Sequence, residues 1–188
     1  MITSLLFLAL PGFSQIQKGN ILVGGNLANF NLGLADGSPF SMSLEPKAAF
    51  FIRDNVAVGG YVNFGLQTIP GGNGSLTTYG VGALARYYLG AAEAPDFIKH
   101  SRIFFEGNAG ISGKNVPNGS STNGLGLGIG PGIAYFITPN IGVETLLKYN
   151  GLVGFGNETT QSDLNLNVGF QIYLPSKKLR TTLQNDVK

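Results

Sequence analysis

Apolar and polar residues alternate with period two through most of the chain after Asn20. Between Phe40 and Arg53 one face carries Phe40, Met42, Leu44, Pro46, Ala48, Phe50 and Ile52. The other carries Ser41, Ser43, Glu45, Lys47, Ala49, Phe51 and Arg53. This is the pattern of a two-faced strand. It recurs in eight segments, at roughly 21–33, 40–52, 56–67, 77–89, 102–113, 123–137, 141–151 and 163–174. Turn-forming stretches such as "ADGSP", "TIPGGNGS" and "KNVPNGSSTN" separate them. The segments are long for globular strands, which average ~5–6 residues, and long enough for a tilted membrane strand of ~9–11. The pattern predicts an all-β fold, an eight-stranded antiparallel up-and-down barrel.

One phrase occurs twice. "PKAAFFIRDNVAV" begins at Pro46 and "PGIAYFITPNIGV" at Pro131, 85 positions later (131 − 46). In each copy a strand ends in aromatic-Phe-Ile, a tight turn follows, and the next strand opens on Val or Ile. The copies join strands two to three and six to seven, half a barrel apart. They predict equivalent hairpins at one rim. Pro46 and Pro131 fall in mid-strand, where proline cannot donate to the ladder, so a bulge is expected at each.

Alternation does not say which face points outward, and three features choose. The charges Glu45, Lys47, Arg86, Glu106, Glu144, Lys148 and Asp163 all sit on the face opposite the apolar one. Glycines 124, 126, 128, 130 and 132 share that charged face, as expected in a narrow lumen crowded by long side chains from facing strands. On the apolar face, Phe30, Phe40, Phe64, Tyr79 and Tyr149 fall at the long-loop end. Phe50, Tyr87, Phe105 and Tyr135 fall at the tight-turn end, with Phe170 the main exception between them. Two aromatic girdles around an aliphatic band match the two interfaces of a bilayer. The reading is a transmembrane barrel with a lipid-facing apolar exterior and a polar, glycine-rich lumen. A soluble lipocalin-like ligand barrel, with its apolar face inside, is the remote alternative.

Composition agrees. Charged residues are 12 % of the chain, about half the usual share, and 29 residues are glycine. The net charge of +2 offers no basic stripe, so nucleic acid is not an expected partner. Cysteine is absent and His100 is the one histidine, so no zinc site is expected and no cofactor. Ser101 and Asp96 lie near His100 in sequence, but adjacency is not triad geometry, and no enzyme is expected. The "GLGLGIGPG" stretch is no phosphate loop, because its glycines alternate and no Gly-Lys-Ser/Thr follows. The start, "MITSLLFLALPGFSQ", reads as a signal peptide over 1–14. Gly12 and Ser14 stand at −3 and −1 of a cut before Gln15, without the usual basic n-region.

On these features the chain resembles the small outer-membrane β-barrels of Gram-negative bacteria, the OmpA/OmpX-like and porin-like family. The resemblance covers about residues 15–174. It rests on the signal-like start, "KGNILVGGNLANFNLG", the two hairpin phrases and the end "NVGFQIYL". It implies a location in the outer membrane, membrane lipids as partners and a monomer. It also implies insertion by the barrel assembly machinery, with Asn167, Gly169, Ile172 and Leu174 as the assembly signal. The family prefers aromatics at those last two places, so the match is partial. Residues 175–188 are then a short polar tail. Members of the family include anchors, adhesins, small pores and a few enzymes, so fold alone does not set function.

Within the lumen six mid-strand charges, Glu45, Glu106 and Glu144 against Lys47, Arg86 and Lys148, must pair, since unpaired buried charges cost several kcal/mol each. Arg86 and Glu106 are the expected closest pair. With Phe51, Leu84, Tyr88, Phe136 and Leu146 they would plug a bore that has room only for side chains or one small ligand. Two readings follow, a plugged barrel of structural or interaction role and a narrow channel whose pairs rearrange for small solutes. Lateral passage of a lipid or hydrophobic solute is a third, with no residue to nominate.

Overall fold

The computed structural model describes residues 14–32, 40–68, 74–90, 101–115, 121–155 and 161–175. The expected signal segment up to residue 13, His100 and Asp96, and the tail from residue 176 lie outside them. Eight strands follow in order: β1 (Ile21–Leu32), β2 (Phe40–Arg53), β3 (Val56–Thr68), β4 (Ser75–Tyr88), β5 (Ser101–Asn115), β6 (Thr122–Thr138), β7 (Ile141–Gly154) and β8 (Gln161–Leu174). Each pairs antiparallel with the next and β8 closes on β1. Several strands run a few residues further toward the long loops than the alternation predicted, as at Ser75, Gly154 and Gln161.

The register fixes the barrel's shape. Start at Leu174 and step across paired residues Ile21, Phe50, Val58, Ala85, Gly107, Ile129 and Tyr149. The path returns to β8 at Leu164, ten residues up the same strand (174 − 164). A stagger of ten over eight strands tilts the strands by about 40° and places the wall at a radius of roughly 8 Å. A strand of 14 residues then climbs about 36 Å, more than the ~30 Å of a bilayer's hydrocarbon core.

Alternation sorts the faces as charge predicted. Phe50, Val62, Val81, Ile111, Ile129 and Leu164 are exposed on the outer wall, and Leu22, Phe51, Leu84, Tyr88, Phe104 and Leu146 are buried in the bore. A soluble ligand barrel requires the opposite arrangement. The girdle residues Phe50, Phe64, Tyr79, Tyr87, Phe105, Tyr135 and Tyr149 are all exposed on the outside, while Phe40 is half-buried and the Phe30 side chain lies outside the described residues. Phe64 pairs directly with Tyr79, and Tyr87 with Phe105. Tyr79 and Tyr87 stand eight residues apart on β4 (87 − 79), about 21 Å along the axis at this tilt. Phe170 is not an exception. Its ladder partner Val143 pairs with Tyr135, which puts Phe170 in the tight-turn belt.

The repeated phrase is a repeated structure, but the bulge is not at proline. Register passes Pro46 and Pro131 unshifted; one ladder of each simply lacks the pairs at the proline. The shift comes later, between Phe51 and Arg53 and again between Phe136 and Thr138. In both copies the outward isoleucine, Ile52 or Ile137, is the extra residue, and the following turn absorbs the irregularity. The Asn55 carbonyl accepts from Tyr88 N at 2.8 Å and the Asn140 carbonyl from Tyr173 N at 2.7 Å. Tyr88 and Tyr173 are themselves 85 residues apart, on opposite walls, and their hydroxyls meet at 2.9 Å. They close the tight-turn end of the bore with Phe51, Phe136 and Phe104. A short 3-10 turn, Ser14–Ile16, adds Ile16 to this floor. The Ile16 carbonyl accepts from Asn55 N at 2.9 Å, tying the N-terminal segment to the first repeated hairpin.

Candidate functional site

Directly above the aromatic floor lies a layer of charge. Strand parity turns Lys47, Arg86, Glu106, Glu144 and Lys148 inward, where all five are buried, and Glu45 joins them at the upper edge. Arg86 and Glu106 face each other on β4 and β5. Arg86 Nε donates to Glu106 Oε2 at 3.0 Å and its Nη2 at 2.5 Å. The same guanidinium crosses the bore to Glu144 on β7, Nη1 to Oε2 at 2.6 Å and Nη2 to Oε1 at 2.9 Å. Two-pronged engagement of two carboxylates suits the planar fork of arginine, which lysine could not reproduce. The Phe104 ring lies 4.0 Å beneath the guanidinium carbon.

Two further chords complete the layer. Lys47 on β2 donates to both Glu106 oxygens on β5, at 2.8 and 2.9 Å, and stands 3.1 Å from Glu45. Lys148 on β7 donates to Glu45 on β2 at 3.0 Å and lies 3.6 Å from Glu106. Three cations and three anions thus form one connected, neutral set. Neutral groups add to it: Gln171 Nε2 donates to Glu144 at 2.9 Å, and the Asn26 amide, in the orientation that satisfies its neighbours, accepts from Lys47 Nζ at 3.0 Å and donates to Glu144 at 3.0 Å. Low dielectric strengthens each interaction and makes any unpaired member costly.

Sequence reasoning placed the six charges on one face and paired Arg86 with Glu106. It did not place the three chords across the bore, because strand order alone does not say which opposite walls meet at one height. It also passed over Arg102, which is buried near the tight-turn rim and donates to the Ser101 carbonyl at 2.8 Å. Its parity with Phe104 and Glu106 was the available signal. Tyr61, Tyr173, Asn26 and Gln171, all buried, were legible by the same parity.

The glycine face works differently from expectation. A side chain at Gly132 would strike the Phe104 ring, and one at Gly128 would come within 2.9 Å of Lys148 and Asn150. These neighbours lean over from adjacent strands, not from the far wall. At Gly124 and Gly130 the obstacle is the neighbouring backbone, at the carbonyls of Val153 and Leu147. A wall curved this tightly brings neighbouring strands across the bare positions. Near the chain's end, Asn167 and Gly169 face the bore and Ile172 and Leu174 follow outward parity. Asn167 donates to the Leu146 carbonyl at 3.3 Å.

Above Lys148, Glu45 and Tyr61 the bore opens into a vestibule of about 470 Å³ toward the long loops. Its walls carry short polar groups, among them Ser43, Asn63, Thr78, Ser112 and Asn165. Asp163 accepts from Asn150 at 3.3 Å and from Asn165 at the vestibule wall. Among the described residues no group of histidines or carboxylates has the arrangement of a metal site.

No protein-family model matches the sequence, and no curated protein matches it. Solved structures do. Neisserial surface protein A is 19 % identical with a TM-score of 0.52, over 81 % of this chain and 95 % of that one. The N-terminal β-barrel domain of Pseudomonas aeruginosa OprF is 12 % identical with a TM-score of 0.49, over 84 % and 98 %. The likeness to the Neisserial protein is one of fold: a closed, eight-stranded, up-and-down barrel of the small outer-membrane type.

Proposed function

We propose that this chain is an outer-membrane barrel protein whose bore is plugged by its own side chains and whose role is structural or interactive rather than conductive. The observation that carries this reading is the neutral six-charge network, with Arg86 held by both Glu106 and Glu144 above a floor of aromatic rings. A solute following the axis would have to break several charge-assisted bonds at once among buried side chains. The exposed apolar wall between two aromatic belts supports the membrane placement. Membrane lipids are then the principal partners of a monomer. Asn167, Gly169, Ile172 and Leu174 form the segment offered to the assembly machinery.

A narrow channel is the second reading. Lys47 and Lys148 each reach both Glu45 and Glu106, so partner exchange could open a path. Planar-bilayer recordings of the refolded protein separate the two, with insertion verified by heat-dependent gel mobility. The plugged barrel predicts a silent wild type, with current in Arg86→Ala at most. Discrete steps in the wild type that change in Arg86→Ala would establish the channel and end the plugged reading.

A further inference from the structure

The vestibule takes no part in the plug, and its polar lining is sorted. Four asparagines that line it spend their amide nitrogens on the wall. Asn63 donates to Ser43 Oγ at 3.2 Å, Asn150 to Asp163 at 3.3 Å and Asn167 to the Leu146 carbonyl at 3.3 Å, while Asn165 also donates to Asp163. Those bonds leave each side chain its carbonyl oxygen, an acceptor with two lone pairs. Asn108 goes further, because its Oδ1 is buried and meets no donor among the described residues. It converges with Asn150 Oδ1 over the bare Gly128, where a Cβ would strike both. A buried acceptor without a donor is a cost that packing alone does not offset.

Ser43, Thr78 and Ser112 add hydroxyls, which both give and accept. Charge cancels across the chamber. Glu45 and Asp163 line it against Lys114 and Lys148, and Lys148 is bound to Glu45 at 3.0 Å. An ion entering here would give up water to a lining with no net charge to replace it. A polyhydroxyl molecule exchanges water for groups of the same kind, with acceptors in excess for its own O–H donors. The volume of about 470 Å³ lies within the ~300–1,000 Å³ of small-molecule sites. The charge layer closes the chamber below, so such a molecule enters and leaves by the long-loop mouth.

We propose that the vestibule is a binding site for a neutral saccharide of one or two rings. Sugar hydroxyls donate to the carbonyl oxygens of Asn63, Asn108, Asn150 and Asn165 and accept from Thr78 and Ser112. A free sugar and the terminal ring of a longer glycan present the same hydroxyls, and both reach the chamber through its mouth. Binding there does not depend on whether the charge layer below ever opens to a solute.

The test titrates the refolded, isotope-labelled protein in phosphatidylcholine nanodiscs with maltose, sucrose, a long dextran and ethanolamine. It reads the side-chain amide resonances of Asn63, Asn108, Asn150 and Asn165 by NMR. Saturable shifts with the small sugars, and none with ethanolamine, are the expected result. Dextran moving the same resonances would assign the source to a glycan end, and the small sugars alone to a free saccharide. Asn108→Leu and Asn150→Leu, with folding checked by heat-dependent gel mobility, should each weaken sugar binding about three- to tenfold, the worth of one hydrogen bond. Ser112→Phe, which fills the chamber, should abolish it. If Asn108 serves only the wall, Asn108→Leu changes the urea midpoint and leaves the sugar affinity where it was. The site is overturned by affinity unchanged in both leucine variants, by no saturable shift with any of the sugars, or by ethanolamine responding as strongly as they do.

Discussion

Arg86 is the residue on which the charge layer depends. It is 1 % exposed and is the only cation in hydrogen-bonding reach of Glu144 among the described residues, while Glu106 also has Lys47. Removing it strands a buried carboxylate, so Arg86→Met should lower stability by about 3–5 kcal/mol, measured by urea unfolding in lipid vesicles. Adding Glu144→Gln leaves Glu45 and Glu106 against Lys47 and Lys148, again two of each sign. The double variant should therefore recover about 1–3 kcal/mol over Arg86→Met. A double variant no more stable than the single one would mean that Glu144 draws nothing from the guanidinium. The sign and parity of these side chains were legible in the alternation. Their connection was not, because Lys47–Glu106, Arg86–Glu144 and Lys148–Glu45 are each three strands apart around the wall, and height in a staggered barrel depends on the register.

At the scale of the hairpin, the two copies of the repeated phrase share a bulge and a carbonyl that caps the following wall, yet their turns differ. Asn55 adopts a left-handed backbone with φ of 67°, and it is the only described non-glycine residue that does. Asn140, preceded by Pro139, is not in that region. A β-branched side chain is penalised there by roughly 1–2 kcal/mol, so Asn55→Val should destabilise by that amount and Asn55→Gly hardly at all. Asn140→Val should cost clearly less than Asn55→Val in the same unfolding experiment; equal losses would show that the two turns impose the same backbone demand. The repeat itself was plain in the sequence, and so was the rim it marks. The site of the bulge was misjudged because the proline rule names a missing donor, and a missing donor at an outward position drops a hydrogen bond without inserting a residue.

For the whole molecule, the layers run from an aromatic floor with Ile16, through paired charge, to an open polar chamber, inside a wall that is apolar from belt to belt. The eight elements, their order and their faces followed from period two, since every strand turns an exposed apolar face outward and its other face to the bore. The register of the β1–β8 closure did not, because it joins segments at opposite ends of the chain and leaves no local pattern. The membrane placement makes a positional prediction that the chain suits well, because it contains no tryptophan. Tryptophans introduced singly along β4 should report depth through quenching by brominated lipids. Ala83→Trp, outward and between the belts, should be quenched most by bromines near the chain ends. Tyr79→Trp and Tyr87→Trp should respond to bromines near the head groups at the two interfaces. Thr78→Trp, which faces the vestibule, should be reached by iodide and spared by brominated chains. A profile in which Ala83→Trp is quenched by iodide and not by lipid would place the outer wall in water and end the membrane reading.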